Sequence, residues 1–139
     1  MTVDTVLVTG AAGGIGSATV ATLAGEGHRV VGLDRLEAPP ALDAAWIRHD
    51  LLDTAGTERL LATSPLLAGL RHVVAVAGGP TPEELGRLHP AEVPVDVFAA
   101  SVELNLTAQY ALVRGAAARL ALTEQRIRPG GRSRGRRPA

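Results

Sequence analysis

The 139-residue sequence predicts an α/β fold, a doubly wound parallel sheet of about four strands covered by helices, followed by a disordered basic tail. Three observations carry this. Short apolar segments alternate with helical ones along the first hundred residues. The strand-like segments, such as "VLVT" and "HVVAVA", lack an apolar/polar alternation and must therefore be buried on both faces, as strands of parallel sheets are. The last fourteen residues, "RIRPGGRSRGRRPA", hold six of the fourteen Arg and no acid, with too little apolar content to fold.

In order, a strand is expected from about Asp4 to Thr9, where β-branched and apolar residues run up to a glycine cluster. A helix follows from about Gly14 to Gly25, with Val20, Leu23 and Ala24 on one face, and "GEG" closes it. "HRVVGLD", His28–Asp34, is the second strand, and Pro39 and Pro40 mark the loop after it. About Ala45 to His49 forms the third strand. Asp53 or Thr54 then caps a helix that contains Leu60, Leu61 and Leu66. Arg71–Gly79 is the fourth strand. An irregular stretch follows, with one turn around Glu83–Leu88, and the Ala- and Leu-rich segment from about Val95 to Leu120 reads as one long helix. The chain divides into a folded unit, 1–121, and a tail, 122–139.

Composition narrows the function. There is no cysteine, which excludes disulfides, thiolate catalysis and cysteine-ligated zinc. His28, His49, His72 and His89 lack metal-ligand spacing and read as surface or strand-end residues, so no metal site is expected. No stretch approaches the roughly 18 apolar residues of a membrane span, and "MTVDTVLV" lacks a signal peptide's basic start, which makes the cytoplasm the expected location. The chain has no lysine. Residues 1–125 carry eight Arg against fourteen acids, a net −6 that offers nucleic acid no footprint; only the tail could meet phosphates.

The chemistry sits in "VLVTGAAGGIG". A strand that turns sharply into a helix presents unpaired N–H groups and a partial positive charge to an anion. The backbone must come close, and a Cβ would obstruct it. Gly10, Gly13, Gly14 and Gly16 stand where those constraints fall, with Thr9 before them and Ile15 between. The spacing T-G-x-x-x-G-x-G differs from the G-x-G-x-x-G fingerprint. It resembles the cofactor loop of the short-chain dehydrogenase/reductase family.

That resemblance covers Val6 to about Leu120 and implies a Rossmann-like sheet, an NAD(P) cofactor and hydride transfer to or from a small carbonyl or alcohol substrate. Asp34, at the end of the second strand, would accept hydrogen bonds from the adenosine ribose and repel a 2′-phosphate, which favours NAD over NADP. Arg35 beside it could stack on adenine or meet a 2′-phosphate. Asp50 and Leu51 match the family's adenine contact, and Asp53 reads as a cap. Ala77 and Gly78 match the end of its Asn-Asn-Ala-Gly stretch, with both asparagines absent. Asn105 matches the helical asparagine of its catalytic group.

The remaining catalytic parts, a strand serine and Tyr-x-x-x-Lys, are not in these residues. "YALVR" gives Tyr110 and Arg114 the right spacing in the wrong place, five residues after Asn105 on the same helix, so Tyr110 is expected to pack. The expectation is a truncated or frameshifted dehydrogenase, inactive alone. The alternative is a non-catalytic NAD-binding or regulatory module working with a partner. Homo-oligomerisation is expected through the long helix or the exposed strand at 72–78.

Overall fold

The computed structural model describes residues 3–87 and 89–127. The elements are β1 (Thr5–Thr9), α1 (Gly14–Gly25), β2 (Arg29–Asp34), β3 (Ala45–Arg48), α2 (Thr54–Thr63), β4 (Leu70–Ala75), α3 (Val95–Val102) and α4 (Ala108–Ile127). Short 3₁₀ turns occupy Pro65–Leu67 and Pro90–Glu92. Among the described residues no helix is long and apolar enough to cross a membrane.

The sheet order is β3-β2-β1-β4, and every pairing is parallel. Leu7 of β1 lies beside Val31 of β2 and Val73 of β4. Central β1 is buried along its whole length, whereas β4, at the edge, is buried at Leu70 and partly or fully open beyond it. The side-chain period of two divides the strands between two cores. Leu7, Val31, Leu33 and Ile47 pack with Leu61 of α2 and Ala108 and Leu112 of α4. Val6, Val8 and Val30 pack with Val20 of α1, and Leu23, Ala24 and Trp46 close over them. Helices therefore cover both faces, which is the doubly wound arrangement. With one Phe and one Tyr in the chain, these aliphatic side chains supply the stability, each fully buried one worth about 1.5–3 kcal/mol.

Polar contacts fix the helix ends. Asp53 caps α2, its carboxylate accepting the Gly56 N–H at 2.9 Å. Arg119 of α4 donates to the carbonyls of Ala62 and Ser64 at 2.7 and 3.2 Å, placing a cation at the C-terminus of α2.

Four departures from the sequence reading have local causes. The α2 helix stops at Thr63, ahead of Leu66, because Pro65 drives Ser64 into an extended conformation. The β4 strand stops at Ala75 rather than Gly79. Its partner β1 ends at Thr9, and Gly78 and Gly79 take φ values of +147° and +127°, outside any strand. The long helix is interrupted by a π-helical turn at Glu103–Thr107, and it continues past Leu120 to Ile127. Tyr110 does not pack: it is 66% exposed. At about 100° per residue it lies two positions from both Ala108 and Leu112, on the side of α4 turned away from the sheet. The tail expected to be disordered falls, from residue 128 onward, outside the described residues.

Candidate functional site

The carboxyl ends of β1, β2, β3 and β4 open on a cleft of about 720 Å³, within the range of roughly 300–1,000 Å³ usual for small-molecule sites. Its floor and walls include Gly10, Gly13, Gly14, Ile15, Gly16, Asp34, Arg35, Asp50, Leu51, Ala77 and Gly78. Eleven of the residues expected from the sequence are thus brought together. Thr9 and Asn105 lie outside the lining and act on it from behind.

The glycine loop is built for close approach. Gly10 has φ +65°, and a Cβ on it would stand 2.7 Å from the Ala77 nitrogen, so this residue lets the loop lie against the chain leaving β4. A Cβ on Gly16 would collide with the Gly10 carbonyl and come within 2.9 Å of Ala11 Cα, so the start of α1 sits directly on the loop. Gly14 differs. Among the described residues nothing lies within 4 Å of where its Cβ would be, so they give no steric reason for glycine there, and Gly14 is one of the residues that line the cleft. No side chain caps α1 and no acid stands in its first turn. The positive end of the helix faces the cleft, as a bound phosphate requires. Ile15, 74% exposed, is an apolar side chain at the same rim.

Asp34 joins the loop to the second strand. Its Oδ2 accepts the Ala12 N–H at 3.0 Å and its Oδ1 accepts the Leu36 N–H at 3.1 Å. An ionised carboxylate has about four acceptor sites, so each oxygen keeps one for a diol presented from the cleft. Arg35 is exposed at its edge, its carbonyl accepting a bond from Arg48 Nε at 3.2 Å. Arg48 also pairs with Glu37 at 2.6 Å, which steadies the loop after β2.

Beyond β3, Asp50 folds an Asx turn, Oδ1 accepting the Leu52 N–H at 3.0 Å. Leu51 turns its side chain into the core, 5% exposed, so toward the cleft it offers backbone. Leu52 is the exposed leucine of the pair.

Thr9 is fully buried, and its hydroxyl accepts the Ala77 N–H at 3.3 Å, holding the ends of β1 and β4 together past their last strand pair. Asn105 lies in the π-helical turn. Its Oδ1 accepts the Gly79 N–H at 2.8 Å, and its Nδ2 donates to the Gly79 and Ser101 carbonyls at 2.9 and 3.0 Å. Both ends of the amide are spent fixing the chain that leaves β4. Single π turns of this kind are frequent at functional sites.

Among the lining residues that the sequence did not mark as site residues are Leu33, His49 and Thr81. Leu33, inside an expected strand, lines the cleft next to Asp34. His49 reaches it from the end of β3. Thr81 stands at the far rim, 7% exposed, with no partner for its hydroxyl among the described residues. Its signal was present: "TPEE" has the spacing of a capping box, of which the structure forms one half, Glu84 accepting the Thr81 N–H at 2.7 Å. That bond is the chief cause holding the Glu84 carboxyl below its ordinary pKa.

A parallel sheet ordered β3-β2-β1-β4 with a glycine-lined cleft at the strand ends is the architecture of the nucleotide-binding short-chain dehydrogenases/reductases. A family model described as the NAD dependent epimerase/dehydratase family matches residues 6–114, more than half of the sequence, and the chain belongs to that family. Solved structures agree in fold. An NADH-dependent reductase, A1-R′, complexed with NAD superposes with a TM-score of 0.75 at 24% identity, over 90% of this chain and 55% of its own. A short-chain dehydrogenase/reductase of Saccharomyces cerevisiae gives 0.70 at 24% identity, over 86% and 50%. MoeE5, in complex with UDP-glucuronic acid and NAD, gives 0.60 at 28% identity, over 82% and 33%. The chain spans about half the length of the first two and a third of MoeE5. A search of curated proteins finds no match.

Proposed function

We propose that this chain is the cofactor-binding part of a short-chain dehydrogenase/reductase-type oxidoreductase and that it binds NAD in the cleft. The observation that carries the reading is Asp34, held between the glycine loop and the second strand by the Ala12 and Leu36 N–H groups. In this reading the N–H groups at Gly14, Ile15 and Gly16 hold the pyrophosphate. Asp34 takes the adenosine ribose hydroxyls, Asp50 and the Leu51 backbone meet the adenine, and Ala77 and Gly78 form the floor beyond. The carboxylate disfavours a 2′-phosphate, so NADP binds more weakly, with Arg35 moderating the difference. When bound, the nicotinamide supplies a hydride acceptor or donor, and a small carbonyl or alcohol is the matching substrate class of a full-length form.

What these residues do is bind and orient. Asn105 fixes the chain after β4 against the π-helical turn, a positioning role. With no lysine among the 139 residues, Tyr-x-x-x-Lys cannot form within them, so the chain alone is read as binding without turnover. Calorimetric titration with NAD and NADP tests this. NAD is expected to bind more tightly than NADP, with no reduction of NAD in the presence of alcohols. Absence of NAD binding would overturn the proposal.

A second reading, a module completed by a partner, is favoured by one feature. Phe98, Leu106, Tyr110 and Val113 are all more than half exposed along α3, the π-helical turn and α4, and among the described residues β4 has no strand on its outer side. The partner could be a second copy pairing through the long helix or the strand at 72–78. Sedimentation of the isolated chain as a monomer at all concentrations would refute self-association.

A further inference from the structure

Arg48, the last residue of β3, lies in register beside Asp34, the last residue of β2. Its Nε donates to the Arg35 carbonyl at 3.2 Å. That carbonyl shares one planar peptide unit with the Leu36 N–H, which points the opposite way and donates to Asp34 Oδ1 at 3.1 Å. Guanidinium, peptide and carboxylate therefore form a continuous hydrogen-bonded chain. Each bond polarises the next, and the rigid peptide ties the orientation of the carboxylate to the position of the guanidinium.

Neighbouring contacts hold this chain at its outer end. Arg48 Nη1 donates to Glu37 Oε1 at 2.6 Å, so the guanidinium fork is fixed while its Nε serves the Arg35 carbonyl. Trp46, on the same face of β3, donates from Nε1 to the Leu36 carbonyl at 3.2 Å. Arg48 and Glu37 are 65% and 77% exposed in their side chains, so their ion pair adds little to global stability. What it fixes is local. Asp34 Oδ2 has a separate support, the Ala12 N–H of the glycine loop, which owes nothing to β3.

Building on the reading of the cleft as an NAD site, we propose that Arg48 is a positioning residue for ribose recognition. Acting through the peptide between Arg35 and Leu36, it sets the discrimination between a ribose 2′-hydroxyl and a 2′-phosphate. A carboxylate tied at both oxygens meets the diol without reorganising and cannot turn away from a 2′-phosphate. Released on its Oδ1 side, it rotates and gives up part of both effects.

The test is calorimetric titration of the intact chain with NAD and NADP. Arg48→Met keeps the alkyl stem and removes the donors. It should weaken NAD by about 3–10-fold, the value of the one Asp34 bond it releases, and narrow the preference over NADP by a similar factor. The thermal midpoint should move by less than about 4 °C. Charge alone demands the reverse: losing a cation beside the ribose site would weaken NADP more than NAD and widen the preference. Glu37→Gln removes an acid yet keeps an oxygen for Arg48, so the preference should stay as in wild type, where a charge effect would narrow it. In the unliganded protein the Leu36 amide proton resonance should move upfield in Arg48→Met and not in Glu37→Gln. An unchanged or widened preference in Arg48→Met overturns the proposal, as does a Leu36 resonance that stays in place. If wild type binds neither dinucleotide, the NAD reading itself fails and takes this inference with it, whatever the Leu36 amide shows.

Discussion

Two alanine substitutions, two residues apart in the first turn of α1, should have opposite effects on stability. In Gly16→Ala the new methyl would collide with the Gly10 carbonyl, lying 2.6 Å from its carbon and 2.9 Å from Ala11 Cα. All three contacts are backbone, so no rotamer change relieves them. Either α1 lifts by about an ångström, loosening Val20 from Val6 and Val8, or the loop shifts and gives up the Gly10 turn. Overpacking of this kind costs about 1–3 kcal/mol. At roughly 2–4 °C per kcal/mol for a domain of this size, the midpoint should fall by about 2–12 °C. In Gly14→Ala the methyl enters open space at a position without positive φ. The unliganded protein should hold its stability or gain about 0.4–1 kcal/mol, because the unfolded chain loses freedom. The proposed site has the Gly14 N–H hold the pyrophosphate, so a methyl at this position should lower NAD affinity at least tenfold. Urea unfolding followed by circular dichroism and calorimetric titration measure both halves. A Gly16→Ala protein as stable as wild type would refute the packing argument. A Gly14→Ala protein with full NAD affinity would refute the placement of the phosphate.

Asp34→Asn keeps the shape but turns an NH₂ toward either the Ala12 or the Leu36 N–H. NAD affinity should fall about 10- to 100-fold, the value of a charge-assisted bond, and the preference over NADP should narrow; titration with both dinucleotides reads this. Arg119→Ala removes the cation and two donors at the C-terminus of α2 and should cost about 1 kcal/mol in urea unfolding, with nucleotide binding unchanged. Glu84 has its carboxyl pKa lowered in the folded state, chiefly by the Thr81 N–H. The stability it contributes is present above the unfolded Glu value, near ~4.3, and is lost as pH falls through the folded one. The protection of the Thr81 amide relative to its intrinsic exchange rate should therefore fall in that acid window and hold between neutral pH and pH 5. Glu84→Gln should remove this change in protection.

Much of this architecture could be read without coordinates, where the signals are local. The bounds of α1 follow from a double glycine at one end and "GEG" at the other, and the Asp53 cap follows from an acid placed before a helical run. Pro65 and the Gly78-Gly79 pair were also in view. Their effect on the ends of α2 and β4 depended on how far neighbouring strand pairing reached, and that is a property of the assembled sheet. Tyr110 shows the same limit. Its helix is apolar on more than one side, and only the docking of Ala108 and Leu112 on the sheet decides which side is left outside.

By itself the sequence determined the order of strands and helices, the glycine loop, the carboxylate at the end of the second strand and the absence of Tyr-x-x-x-Lys. These depend on residue type and spacing along a few turns of chain. Tertiary structure alone decided that Asn105 grips Gly79 across 26 residues. It also decided that Leu51 faces the core and that the His49 ring meets the Thr57 hydroxyl. Each of those is set by the direction in which a side chain points once helices have closed on both faces of the sheet, and no local pattern encodes that direction.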